Sequence, residues 1–338
     1  MKAVGTRHPL PIENPEALLD ITLPQPVATG RDLLVRVAAV SVNPVDTKMR
    51  GSSAPVAGEA RVLGWDASGT VEAVGPDVTL FKPADAVFYA GAINRSGTNA
   101  QFHLVDERIV GPKPASLSHS EAAAMPLTAI TAWEALFDRL EVTRPVPGAA
   151  HAILIIGGAG GVGSMAIQLA RSVPGLTVIA TASRPETKAW VADLGAHHVV
   201  DHAQPLAAQI AALGLAGAPA FVFSTTQTDL HFEAIVELIA PQGRFALIDD
   251  PSPIDVRKLK RKSVSLHWEL MFTRSLFQTA DILRQHELLA EVSRRVDAGE
   301  IRTTLSEDFG ALDAANLRRA HALIESGKAK GKIVLRVE

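Results

Sequence analysis

The stretch that most restricts what this chain can fold into is GGAGGVG at 157–163. It follows the apolar run AILII and leads directly into the helical pattern of 164–172. Gly158, Gly160 and Gly163 satisfy G-x-G-x-x-G, with Gly161 and Val162 at the start of the helix. Such a turn needs glycine for three reasons: the chain reverses tightly, a pyrophosphate must approach bare backbone, and the helix must pack close to its strand. The free N–H groups and the dipole at the helix N-terminus then favour an anion. Alone the motif is weak, but between a strand and a helix it becomes a strong sign of a dinucleotide site.

The surrounding pattern agrees. Short apolar runs at 153–156, 178–182, 199–200, 221–223 and 245–248 alternate with helical stretches that stop at Pro174-Gly175, Gly195 and Pro241-Gln242-Gly243. This alternation predicts βαβ crossovers and a parallel sheet. The first 120 residues differ: runs at 34–42, 69–74, 86–90 and 100–105, separated by turn signals, predict a small irregular barrel. The change comes at Ser118, which with Glu121 forms a capping box before an alanine-rich helix, and a second helix is expected over 127–140. After about residue 266 the pattern returns to helices, a short strand and a final strand at 333–337.

The end of the strand at 178–182 bears on the nucleotide. An NAD site normally places an acid there to bind the ribose hydroxyls. This chain has Ser183 and Arg184, with Lys188 one turn further and no acid at the strand end. A hydroxyl and a guanidinium suit a 2′-phosphate that a carboxylate would repel, so NADPH is expected over NADH.

Composition removes several alternatives. With no cysteine there are no disulfides, thiolate metal sites or cysteine nucleophiles. A net charge of −3 gives no general attraction to nucleic acid, and the basic run 257–262 reads as a solvated face. The uncharged stretch 152–170 carries five glycines and reads as strand, turn and helix rather than a membrane span. No signal-like apolar run precedes Glu13 and Asp20, so a cytoplasmic protein is expected. Gly157, Gly161 and Gly163 also fit the short-chain dehydrogenase spacing, but that class needs a Tyr-x-x-x-Lys pair downstream. The only tyrosine, Tyr89, lies upstream without one.

Taken with SVNPVDTKMRG (41–51), LGWDASGTVEAVG (63–75), MPLTAITAWEAL (125–136) and HALIESGKAKGKIVL (321–335), the chain resembles the medium-chain dehydrogenase/reductase superfamily. HWELMFTRSLFQTADILRQH (267–286) is most similar to the zinc-type alcohol-dehydrogenase-like branch of the quinone oxidoreductases. The resemblance implies an α/β fold, with a doubly wound Rossmann domain at 125–265 inserted into a β-rich GroES-like catalytic domain at 1–124 and 266–338. It also implies a homodimer pairing edge strands of the nucleotide domains. Zinc alcohol dehydrogenases of this superfamily carry Cys where this chain has Asn43 and His where it has Trp65, so no metal is expected.

The implied activity is zinc-free hydride transfer from NADPH to a quinone or other α,β-unsaturated carbonyl. The alternatives are a zinc-dependent alcohol dehydrogenase and an NADPH-binding protein with negligible turnover. The resemblance places Asn43, Asp46 and Thr131 around nicotinamide and substrate, Ser224 and Thr225 after a strand at the cofactor, and the backbone of Ala246, Leu247 and Ile248 at the carboxamide. Trp65, Phe88, Tyr89, Trp268 and Phe272 are candidate walls of an acceptor pocket, and no single catalytic acid is expected. Each also has a structural reading: Asn43-Pro44 as a turn, Asp46 as a helix cap, Thr131 and the aromatics as core.

Overall fold

A computed structural model describes residues 1–52 and 59–338. The chain divides into two compact units, Met1–Ile130 with Phe272–Glu338, and Thr131–Met271. The first opens with β1 (Lys2–Thr6), β2 (Leu19–Thr22), β3 (Asp32–Val42), helix α1 (Pro44–Ser52), β4 (Arg61–Val62) and β5 (Asp66–Val74). It continues through β6 (Ala86–Ala90), β7 (Phe102–Asp106), β8 (Val110–Pro112) and α2 (His119–Ala123) to α3 (Pro126–Trp133), within which the boundary falls. The second unit holds β9 (Ala150–Ile156), α4 (Gly161–Arg171), β10 (Thr177–Thr181), α5 (Pro185–Asp193) and β11 (His198–Val200). Then come α6 (Leu206–Ala212), β12 (Pro219–Ser224), α7 (Thr228–Leu238), β13 (Arg244–Leu247) and β14 (Ser265–Trp268). The return to the first unit supplies α8 (Thr273–Phe277), α9 (Arg284–Asp297), β15 (Leu305–Ala311), α10 (Ala314–Glu325) and β16 (Lys332–Arg336).

In the second unit six parallel strands lie in the order β11-β10-β9-β12-β13-β14. Relative to its own first strand this is the Rossmann order 3-2-1-4-5-6, which places a switch point between β9 and β12. Leu154, Ile156, Val222, Phe232, Phe245 and Leu247 share one core cluster, each removed from water. Burial of such side chains contributes about 1.5–3 kcal/mol apiece. The units meet in sequence at 130/131 and 271/272, whereas the expected divisions were 124/125 and 265/266. At the second division the reason is β14, which pairs with β13 as a sixth parallel strand and so belongs with the nucleotide sheet. Its sequence, Ser265–Trp268, is too short and mixed to show strand periodicity.

The first unit is built on β3, eleven residues long, which pairs antiparallel with β5, β7 and β16. It lies in a seven-stranded sheet of order β15-β16-β3-β5-β6-β8, with β7 on β3. A separate three-stranded sheet runs β2-β1-β4. The capping box before α2 is present: Ser118 N donates to Glu121 Oε2 at 2.9 Å and Glu121 N to Ser118 Oγ at 3.3 Å. The helix expected over 127–140 ends as α-helix at Trp133 and continues in π turns to Arg139. In the basic run, Lys262 Nζ donates to Ile239 O at 2.8 Å and caps the end of α7, and Arg257 pairs with Asp255 at 2.7 Å.

Candidate functional site

The glycine turn joins β9 to α4 as its sequence demands. Gly157 sits at φ 79°, a left-handed conformation costly for other residues. A Cβ on Gly163 would lie 2.3 Å from the Gly157 carbonyl oxygen, and one on Gly158 would lie 2.9 Å from Ala180 Cβ on β10. Gly160 is different: a Cβ there meets nothing closer than 3.5 Å. Two glycines are therefore required by packing, while a Cβ at Gly160 would make only an ordinary contact. Gly160 is the N-cap of α4 and supplies no side-chain hydrogen bond, so the first N–H groups of this eleven-residue helix are available to an anion.

At the end of β10, Ser183 and Arg184 precede α5, and Arg184 Nε lies 3.2 Å from Glu186 Oε1. Lys188 Nζ is 2.9 Å from Asp201 Oδ2. The cations expected from the sequence thus share one strand end, each with a carboxylate beside it. Across the switch point, Thr225 Oγ1 donates to Ile156 O at 2.8 Å, holding the end of β12 against that of β9. Ser224 is fully buried, and its Oγ accepts from Thr228 Oγ1 at 2.7 Å. Thr228 N donates to Asp249 Oδ2 at 2.8 Å, so Asp249 caps α7. That role was not anticipated, because acceptor and helix start are 21 residues apart. Ala246 and Leu247 are buried on β13, and Ile248 follows half-buried.

In the other unit Asn43 and Asp46 enter a buried polar cluster with two residues the sequence did not single out, Asp66 and Lys332. The Lys332 ammonium donates to Val42 O at 2.9 Å, Asn43 Oδ1 at 2.5 Å and Asp66 Oδ2 at 2.9 Å, which uses all three of its N–H groups. Asn43 Nδ2 donates to Asp66 Oδ2 at 2.8 Å, so both ends of that amide are engaged internally. The other carboxylate oxygen of Asp66 accepts the Leu127 N–H at 2.7 Å at the start of α3. Asp46 Oδ2 accepts the Asn43 N–H at 2.8 Å, while its buried Oδ1 has no partner. Burial pushes the Asp46 carboxyl up to about 7, against the opposing pull of the Asn43 N–H and the Lys332 charge.

The aromatic candidates separate. Trp65 is fully buried, donates from Nε1 to Ala92 O at 3.1 Å and meets Phe272 edge-on at 5.9 Å. Tyr89 is also fully buried, stacked on His103 at 5.5 Å with its hydroxyl 3.1 Å from Nδ1. Burial holds the Tyr89 phenol far above its usual range and His103 down to about 4, so both are neutral core groups near neutral pH. Phe88 is core as well. Thr131 is buried on α3, whereas Trp268 at the end of β14 is 56% exposed.

The donor chemistry around Asn43 does not suit a zinc ion. Zinc sites draw on thiolate, imidazole and carboxylate ligands. Here the Asn43 amide is spent, the Trp65 indole offers only N–H, and a cationic ammonium already faces the Asp66 carboxylate. Among the described residues no three His, Cys, Asp or Glu side chains converge as a metal site.

Comparison with known proteins places this geometry. Residues 29–123 match the model described as alcohol dehydrogenase GroES-like domain, and residues 194–335 the one described as zinc-binding dehydrogenase. A zinc-type alcohol dehydrogenase-like protein of Staphylococcus aureus (strain COL) is 41% identical over 100% of both chains. A solved structure from Rhizobium etli CFN 42, described as a zinc-dependent alcohol dehydrogenase, is 64% identical with a TM-score of 0.98, covering 99% of this chain and 98% of that one. The quinone oxidoreductase of Pseudomonas syringae pv. tomato DC3000 is 25% identical with a TM-score of 0.82, covering 99% of each chain. A mycobacterial protein solved in complex with NADPH is 27% identical with a TM-score of 0.82, covering 99% of this chain and 100% of that one. The chain belongs to the medium-chain dehydrogenase/reductase superfamily, in its quinone oxidoreductase and alcohol dehydrogenase-like branch, and is an oxidoreductase of that type.

Proposed function

We propose that this protein is an NADPH-dependent reductase that transfers hydride to a quinone or another α,β-unsaturated carbonyl without zinc. The observation that carries the reading is the bare α4 N-terminus behind Gly160, on the same sheet end as Ser183, Arg184 and Lys188. The helix head suits a pyrophosphate, and the cations suit a 2′-phosphate. The NADPH in the mycobacterial relative supports the same choice. The backbone of Ala246, Leu247 and Ile248, at the carboxyl end of β13, is where a carboxamide would find hydrogen bonds.

Bound NADPH would supply a hydride from nicotinamide C4, which with one proton reduces the acceptor. An electron-poor quinone or enone accepts hydride without a Lewis acid, so position and exclusion of water suffice. That requirement matches an Asn43 environment built around an ammonium rather than a metal. Lys332 and Asp66 hold the Asn43 amide, and Asp66 holds the start of α3, the helix that carries Thr131. The quinone oxidoreductase relative supports the acceptor class. A second copy of this chain is the expected partner, because β14 is an edge strand with Trp268 and Leu270 exposed beside it.

NADPH oxidation by chelator-treated protein with a panel of quinones and enones tests the reading. Turnover unaffected by chelation supports it. Binding of NADPH without turnover on any acceptor, or activity that returns only with added zinc, contradicts it.

A further inference from the structure

One imidazole stands beside the cations proposed to receive the 2′-phosphate, and a second stands next to the first. His202, just beyond β11, and His231, on α7, are both half-buried, with ring centroids 6.2 Å apart. His202 Nδ1 lies 3.2 Å from Thr181 Oγ1, and that oxygen accepts the Gly157 N–H at 3.0 Å. The pair is therefore tied to the glycine turn at the same sheet end. A protonated His202 bonded through Nδ1 retains Nε2–H as a second donor.

The local charge balance shows what these rings can add. Arg184 faces Glu186 at 3.2 Å and Lys188 faces Asp201 at 2.9 Å. His202 feels Asp201, Lys188 and Arg184, while His231 feels His202, Asp229 and Asp249. With both rings neutral, the cations Arg184 and Lys188 stand among the carboxylates Glu186, Asp201, Asp229 and Asp249. A phosphate dianion arriving here therefore meets no surplus of positive charge. Burial holds both rings below the usual histidine range, and His202 lowers His231 further, so each has a proton to gain near pH 7.

We propose that the His202–His231 pair is the proton-accepting part of the adenosine 2′-phosphate subsite: phosphate binding draws a proton from solvent onto the pair, and the preference for NADPH over NADH rises as the solution becomes more acidic. The inference rests on the reading that Arg184 and Lys188 receive the 2′-phosphate. The sign follows from linkage: a bound dianion favours the charged imidazolium, so lowering the pH favours the phosphate-bearing ligand alone. For one proton the limit is about tenfold in the affinity ratio per pH unit.

Calorimetric titration of the full-length protein with NADPH and with NADH, at about pH 7 in two buffers of different ionisation heat, measures proton uptake directly. The phosphate's own second ionisation, near pH 6, contributes the opposite sign, a small proton release. Net uptake with NADPH, near zero with NADH, and lost in His202→Gln is the expected result. His231→Gln provides a second variant should His202→Gln fold poorly, and is expected to reduce the uptake. NADPH preference without proton uptake, constant from about pH 8 to about pH 6.5, overturns this inference while leaving the Arg184 and Lys188 reading intact. Equal binding of both cofactors overturns both.

Discussion

The half-buried glycine turn and the fully enclosed Asn43 cluster are both compact, yet they are specified in opposite ways. The turn is written in seven consecutive residues, and its requirements concern backbone: a left-handed φ at Gly157 and no room for a Cβ at Gly163. The Asn43 cluster is assembled from β3, β5 and β16, and its central contact joins residues 266 positions apart. Its requirements concern charge, since an ammonium and a carboxylate must reach the interior together. A local backbone motif tolerates change around it, whereas a non-local ion pair fails when either partner is lost.

The largest effect that distinguishes them is expected from Lys332→Met. It strands the Asp66 carboxylate in the core and should lower stability by about 3–5 kcal/mol, measured by urea unfolding. Gly163→Ala should cost less, about 1–3 kcal/mol, because the Gly157 carbonyl and the Gly158 backbone that the new Cβ meets can shift without stranding a charge. The same variant should lose most nucleotide affinity, read by fluorescence titration, since the helix head moves with the turn. Asp46→Asn sharpens the contrast through pH. The Asp46 carboxyl titrates at about 7 in the fold against 3.8 ordinarily, so the folded state holds the proton more tightly. Stability conferred by that neutral acid is present below about 4 and lost as pH rises to about 7. Asn keeps an acceptor for the Asn43 N–H without the charge, and should be more stable than the native protein at about pH 8 by about 1–3 kcal/mol. Unfolding curves at acid and alkaline pH check this; a larger native pH slope than in the variant is required. Gly160→Ala should have the smallest effect on stability, under about 1 kcal/mol, because its Cβ makes no contact closer than 3.5 Å. It should still weaken nucleotide binding, and unchanged affinity would show that no ligand approaches there.

The same contrast explains what was legible in the sequence. The alternating strands and helices of the second unit were readable because each strand is a contiguous apolar run, as at Ile153, Val178 and Phe221. β14 was not, since Ser265–Trp268 takes its strand state from pairing with β13. Nor were β1 and β2, whose short mixed runs depend on their partners; the short strand expected among the C-terminal helices is present as β15. Ser183, Arg184 and Lys188 could be singled out from sequence because they follow a strand end at a known offset. Asp66 and Lys332 carry no local signal; only the fold brings them together. Trp65 and Tyr89 were candidate pocket walls by type alone, and the fold gives them core contacts with Phe272 and His103.

The most direct test of the account is the comparative titration of the metal-free protein with NADPH and NADH, repeated on Arg184→Ala/Lys188→Ala. NADPH is expected to bind about tenfold or more tightly than NADH, with the preference collapsing in the double variant while NADH affinity stays within about threefold. Equal affinities in the native protein, or a preference that survives both substitutions, would contradict it.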